Sequence, residues 1–396
     1  MSISFTTLAG QYRSALLADV IPFWLENSPD REFGGYLVSL DRDGKVYDTD
    51  KFMWLQGRQV WTFSMLCNRH GADSDWLEMA ALGARFLKKN GRDADGNWYF
   101  ALNREGEPLV QPYNIFSDCF AAMGFSQYAL ASGDDEARAI ASDTFRNIVR
   151  RQANPKGRYS KAGAAARPAQ SLVMPMIMSN LAFELQWLLP PGVFEAVLDD
   201  SVQKVMTVCL DRRLHMFRET VSPDGTPLDT FDGRLLCPGH GIEAAWFMMD
   251  IACHRHDADL LEQAVSVALA TLEYGWDPEH GGILYFRDAA GKPLDRLDWD
   301  QKLWWVHLET MQAMLMGYRL TGRNECLAWF LKVQDWAWAH FADPSRGEWF
   351  GYLTRRGDVL HTCKGGKWKG CFHVPRALFR CLRELELLAA GTPRGW

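Results

Sequence analysis

Apolar and polar residues alternate along this chain in a unit that returns roughly six times, with a period of about 60 residues. Each unit reads as a short aromatic strand, a Gly or Asp turn, a second extended piece, and then two helices. The first unit is Gly34-Gly35-Tyr36-Leu37-Val38 with the turn Asp43-Gly44, followed by a helix from near Met53. The second is Gly96-Asn97-Trp98-Tyr99-Phe100 with Glu105-Gly106. The third is weaker: Gly157-Arg158-Tyr159-Ser160-Lys161, then an apolar stretch through Met174, Ile177, Asn180, Leu181 and Glu184. The fourth begins at Met216-Phe217-Arg218-Glu219, the fifth at Gly281-Gly282-Ile283-Leu284-Tyr285-Phe286, and the sixth at Glu348-Trp349-Phe350-Gly351-Tyr352-Leu353.

One helix of each pair is apolar nearly all round and predicts burial. The other carries a single apolar stripe and predicts a surface position. The striped helices are Trp76 to Lys88, Glu136 to Arg150, Val193 to Cys209, Asp259 to Tyr274 and Asn324 to His340. Stacked in a ring, such pairs give an inner barrel inside an outer one: an all-α (α/α)6 toroid with its hairpins gathered on one face. No Pro/Ser linker or composition break interrupts it, so residues 1–396 read as a single domain.

Composition narrows the partners. Seventeen Trp and a high apolar content predict a large core. The net charge of −6 is spread without a basic block, which argues against nucleic acid or an anionic membrane as partner. Nine Cys without CxxC or zinc spacing predict reduced thiols and a cytoplasmic setting. No signal peptide is visible at Met1–Thr7, and no stretch approaches the roughly 18 unbroken apolar residues of a spanning helix.

Polar residues recur just after each hairpin, at the start of the inner helix: Arg58, Asp118, His240 with Glu243, His307 with Glu309, and His373 with Arg376. In a ring they converge on one cavity, accompanied by Trp54, Trp61, Trp304, Trp305, Trp368 and Phe372. An aromatic wall with a few converging polar groups suits a sugar, whose C–H faces stack on rings while its hydroxyls need partners. His240 and Glu243, three apart, share a helix face, so Glu243 is expected to orient the imidazole. His307 and Glu309 are two apart, so one faces the cavity while the other packs. His373 is expected just outside a helix that starts at Pro375, where the positive helix end favours a neutral imidazole. The remaining histidines read as structural or solvated. A metal site from His240, Glu243, Glu309 and His373 lacks metal-ligand spacing, so no metal is expected. Neither GxSxG nor a phosphate-loop motif occurs.

Four stretches carry a resemblance over essentially the whole chain. They are Trp54-Leu55-Gln56-Gly57-Arg58-Gln59-Val60-Trp61, Pro238-Gly239-His240-Gly241-Ile242-Glu243, Lys302-Leu303-Trp304-Trp305-Val306-His307-Leu308-Glu309, and Lys369-Gly370-Cys371-Phe372-His373-Val374-Pro375-Arg376. Together they resemble the N-acylglucosamine 2-epimerase family, whose (α/α)6 barrel agrees with the repeat. The last stretch resembles its N-acetyl sugar enzymes more than the cellobiose or mannose branches. The resemblance implies an isomerase that interconverts N-acetylglucosamine and N-acetylmannosamine, a sialic acid precursor. It implies His240 and His373 as acid and base, with Arg58 and Glu309 needed for activity. Asn180, Glu184, Glu243, Trp304, Trp368 and Arg376 match substrate-contacting or supporting positions, and Asp118 joins them from its place in the repeat. The resemblance also implies a homodimer and activation by ATP that is not consumed. The basic turn Asn154–Lys161, with Lys156 and Lys161, is the segment nominated for the nucleotide. Rival expectations are a mannose/fructose-type isomerase, a cellobiose 2-epimerase, a two-carboxylate hydrolase or lyase, and a non-catalytic binding protein.

Overall fold

The computed structural model describes residues 4–163 and 165–391. Met1–Ile3 of the N-terminal reading and the last five residues of the 1–396 unit lie outside the described residues. Six helices form the inner ring: Met53–Arg69, Phe116–Ser132, Val173–Leu185, Pro238–Arg255, Trp304–Thr321 and His373–Ala389. Outside them lie Ser74–Asn90, Asp135–Arg151, Pro191–Gln203 with a π-helical extension Lys204–Val208, Ala258–Gly275 and Asn324–Phe341. The sixth outer position is filled by the N-terminal segment, Phe5–Ser14 running through a π-helical stretch Ala15–Val20 into Ile21–Asn27. It packs on the last inner helix and donates a hydrogen bond from Tyr12 Oη to Gln334 Oε1 (3.0 Å). The architecture is the expected (α/α)6 barrel.

Inner and outer helices differ in how they begin. Asp73, Asp134 and Asp257 cap outer helices by accepting backbone N–H groups. None of the six inner helices is capped by its own N-cap side chain, although Asn114 Oδ1 accepts from Phe116 N (3.1 Å) and Ser171 Oγ from Val173 N (3.3 Å). Their positive ends, gathered on one face, therefore open onto the cavity. Two of the inner helices touch backbone to backbone. A Cβ on Gly57 would meet Phe120 O at 2.5 Å, and one on Gly124 would meet Gly57 O at 2.6 Å.

Hairpins tie the units together. The two residues before an inner helix pair with the hairpin of the following unit: Lys51–Phe52 with Ala101–Leu102, Leu235–Leu236 with Arg287–Asp288, and Lys302–Leu303 with Tyr352–Leu353. Gln170–Ser171 pairs in the same way with Thr220–Val221. The ring closes where Lys364 and Gly365 donate to Leu40 O (2.9 and 3.2 Å). Beneath these seams lie ion pairs that charge patterning does not show: Lys51–Asp30 (2.8 Å), Lys302–Asp277 (3.1 Å) and Lys364–Asp343 (3.0 Å), all with side chains almost wholly buried. Each Asp also binds an arginine from a neighbouring turn: Arg104, Arg355 and Arg42 respectively. Burial works to raise the Asp30 carboxyl, but hydrogen bonds from Arg104 and Lys51 outweigh it and hold it at about 2. One hydrophobic cluster runs through the molecule from Ala9 to Leu385. Among the described residues no helix is long and apolar enough to cross a membrane.

Candidate active site

A cavity of about 600 Å³ opens at the hairpin face of the ring. Seven of the expected residues line it: Arg58, His240, Glu243, Trp304, Trp368, His373 and Arg376. Aromatic and apolar side chains make up most of the remaining wall, including Trp54, Phe116, Phe120, Trp305 and Phe372.

His373 opens the last inner helix, with Phe372 as N-cap. The helix therefore starts two residues earlier than Pro375 predicts. A proline fits anywhere in the first turn, where its missing N–H has no partner to lose. His373 Nδ1 donates to Glu309 Oε1 (2.8 Å), which leaves Nε2 as a lone-pair nitrogen. Glu309 Oε2 accepts from Trp246 Nε1 (3.0 Å). Arg376 bridges Glu243 Oε1 (2.6 Å) and Glu309 Oε1 (2.7 Å). Burial, followed by the Arg58 and Arg376 cations, pushes His373 well below its ordinary value. Burial opposes the charge on Arg376, but Glu309 and Glu243 outweigh it and raise its pKa. Glu309 is itself fully buried and reaches the cavity only through His373 and Arg376.

His240 is built differently. It is the third residue of its helix, and its Nδ1 meets Glu219 Oε2 at 3.0 Å. Glu243, expected to orient it, is instead held by Arg376. The shared helix face gave Glu243 access to His240, but a buried guanidinium is a stronger partner for a carboxylate. Burial works against the imidazolium, yet Cys237 and Glu219 outweigh it and raise His240 well above its ordinary value. Trp305 touches both histidines, with ring centroids 5.3 Å from His240 and 5.9 Å from His373. Gly239 makes room for it, since a Cβ there would lie 2.6 Å from the indole.

Arg58 lies against Trp54 (4.4 Å), Phe120 (4.0 Å) and Phe372 (4.5 Å). Its Nε is buried without a hydrogen-bond partner. Burial, then Arg376, lowers its pKa to about 9. This cation on the cavity wall has no carboxylate bonded to it among the described residues.

Other expected residues do not reach the cavity. Asp118 is fully buried and faces outward to Arg151 (2.8 Å). Burial pushes it up to about 7 although Arg151 opposes the shift. Glu184, three turns into its helix, accepts from Trp61 Nε1 (2.8 Å) and Gln127 Nε2 (2.7 Å), holding neighbouring inner helices together. Asn180 is buried with Oδ1 unpaired, and that helix presents Val173, Met176 and Ile177 to the cavity instead. Lys156 and Lys161 lie exposed around a short 3-10 turn, Gly157–Tyr159, and neither forms an ion pair among the described residues. Of the pair His307 and Glu309, His307 packs away from the cavity. It accepts from Ile283 N (2.9 Å), donates to Leu303 O (2.8 Å) and stacks on Trp336. Burial drives it down to about 3, a neutral core histidine.

The repeat points to the hairpin that holds Glu219 but not to Glu219 itself as a site residue. It sits between the strands Met216–Phe217 and Thr220–Val221, and strand pairing across units delivers it to His240. Arg296, Asp298 and Gln301, on the loop before Lys302, were also missed as cavity residues. Their only signal is the polar run Asp295–Gln301 on a hairpin that should face the mouth.

Comparison with known proteins places this geometry. The family described as N-acylglucosamine 2-epimerase (GlcNAc 2-epimerase) matches residues 35–377. The N-acylglucosamine 2-epimerase of Bos taurus is 39% identical over 384 residues, covering 93% of this chain and 89% of that protein. The cellobiose 2-epimerase of Bacteroides fragilis is 25% identical over 403 residues, covering 95% and 99%. The solved structure of cellobiose 2-epimerase from Spirochaeta thermophila shares the fold, with a TM-score of 0.82 at 22% identity over 97% of this chain and 98% of that one. With its (α/α)6 ring, its two cavity histidines and this full-length likeness, the chain belongs to the N-acylglucosamine 2-epimerase family.

Proposed function

We propose that this enzyme interconverts N-acetyl-D-glucosamine and N-acetyl-D-mannosamine by inverting C2 of the open-chain sugar. The observation that carries the reading is the opposed pair of histidines: each is held by its own carboxylate, one kept neutral and the other kept protonated. Two titratable groups pushed apart in this way are a base and an acid.

Ring opening exposes the C1 aldehyde, which acidifies the C2 hydrogen. His373 Nε2 removes that proton from one face, leaving an enolate. His240 delivers its proton to the other face of C2 and becomes neutral. The two histidines then stand in exchanged protonation states, ready for the reverse direction or reset by exchange with solvent. Arg58, which no carboxylate bonds among the described residues, stabilises the enolate oxygen. Glu219 and Glu309 orient the imidazoles, and Glu243 fixes Arg376. Trp304 and Trp368 offer stacking faces to the sugar.

The same reading takes residues 1–396 as one catalytic unit, working as a homodimer in the cytoplasm, with ATP as an activator that is not consumed. The exposed turn with Lys156 and Lys161, around the short 3-10 segment Gly157–Tyr159, is the place proposed for the nucleotide, and no chemical step is assigned to it. Sedimentation and rates with ATP or a non-hydrolysable analogue test these points.

The deciding experiment is proton NMR of N-acetylglucosamine with the enzyme in D2O, with and without ATP. Growth of N-acetylmannosamine carrying deuterium at C2 is the expected result. No change at C2, with mannose turned into fructose in a parallel tube, would overturn it in favour of an aldose–ketose isomerase; inversion of cellobiose alone would move it to the cellobiose branch.

A further inference from the structure

We infer that Glu219, Cys237 and His240 form a binding site for a zinc-class divalent cation, and that a cation held there inhibits the enzyme. The three residues offer one oxygen, one sulfur and one nitrogen. Their ligand atoms all lie within 4.8 Å of one another, so small side-chain rotations bring them round a single ion. Cys237 and His240 stand three apart across the start of the Pro238–Arg255 helix, and Glu219 comes from the facing hairpin. Three protein ligands with an open fourth position for water are a common zinc arrangement. The thiolate and imidazole donors select zinc-like ions over magnesium or calcium. The cavity provides the entry path, because His240 lines it.

Among the described residues one other cluster has comparable spacing, Glu243, Glu309 and His373. There Arg376 already sits between the carboxylates as a fixed cation. Among the described residues no lysine or arginine pairs with Glu219, and its Oε1 is buried without a hydrogen bond. The Glu219 cluster thus lacks the fixed guanidinium that the Glu243–Glu309–His373 cluster has built in.

Binding balances as a proton exchange. The cation displaces the Cys237 Sγ proton and the His240 Nδ1 proton, and both go to solvent. A metal on Nδ1 leaves the ring one proton, on Nε2, and no imidazolium can form. The inhibition rests on the acid role proposed for His240; the binding does not.

The test uses Co²⁺ and Zn²⁺ on the whole enzyme. Co²⁺ is expected to bind with one-to-one stoichiometry and give a thiolate-to-cobalt charge-transfer band in the near ultraviolet. Cys237→Ser and Cys237→Ala, two variants so that a misfolded one does not decide the matter, should both lose the band. Zn²⁺ should inhibit the wild type reversibly, with EDTA restoring the rate. Each variant, compared with its own zinc-free rate, should need at least about tenfold more Zn²⁺ for the same inhibition. A cobalt band that persists in both variants, or no band in the wild type, would overturn the site whatever reaction the enzyme catalyses. Equal zinc sensitivity in wild type and variants would overturn the inhibitory role.

Discussion

The two sides of the cavity use the same parts to opposite ends. On one side Glu309 holds His373, but Arg376 and Arg58 stand nearby and burial is deep, so the imidazole stays neutral. On the other side Cys237 and Glu219 flank His240, no arginine pairs with Glu219 among the described residues, and the imidazole is raised well above its ordinary value. A carboxylate partner alone therefore does not decide whether a histidine is an acid or a base. The surplus or shortage of cations around the pair decides it.

The widest gap to open is between each imidazole and no imidazole. His373→Ala and His240→Ala should each lower kcat by roughly 10²–10⁴ while circular dichroism stays native. If either alone keeps near-native turnover, the two sides are not a pair. Arg376→Met removes the cation that balances two buried carboxylates. Breaking such a pair costs about 3–5 kcal/mol, to be read from urea unfolding. In that variant His373 should also titrate higher, so the acid limb of the pH–rate profile moves up.

The wild-type profile is set by the working state, in which His373 is neutral and His240 protonated. Rate falls as pH drops through the depressed His373 value and again as pH rises through the elevated His240 value, leaving a broad plateau between. Glu219→Gln should pull the alkaline limb down by about one unit or more. The same His240 shift stabilises the fold below its unfolded value, and this contribution is lost as pH rises through the folded value. Glu219→Gln should weaken that dependence. An alkaline limb that does not move would show that Glu219 does not hold the charge. The smallest effect belongs to the rim: Trp368, half exposed, should give a KM increase of roughly two- to tenfold as alanine, with kcat little changed.

Much of this was legible in the chain. The repeat located the hairpins and the inner helices, and the starts of those helices named Arg58, His240, Glu243, His373 and Arg376, all of which line the cavity. Local spacing failed where a distant partner competed: Glu243 shares a helix face with His240 but belongs to Arg376, more than a hundred positions away (i−j of 133). It failed again at Glu219 and at the buried Lys–Asp pairs, which exist only once hairpins of adjacent units pair. The Val173–Leu185 helix was misjudged at depth, since Asn180 and Glu184 lie turns beyond the mouth where their neighbours Met176 and Ile177 look in. The sixth outer helix is formed by the chain's own beginning, outside the repeat's register.

The seam between Leu40 and Lys364–Gly365 has a consequence for how the molecule is made. Arg42 and Asp343 meet at the same weld, and the last helix carries both His373 and Arg376. A chain emerging from the ribosome thus holds Glu243 and Glu309 without their cation until the last inner helix appears. Closure of the circle waits for the Lys364–Gly365 seam and the last inner helix, and the unfinished arc, with its apolar inner wall open, is the form most exposed to aggregation.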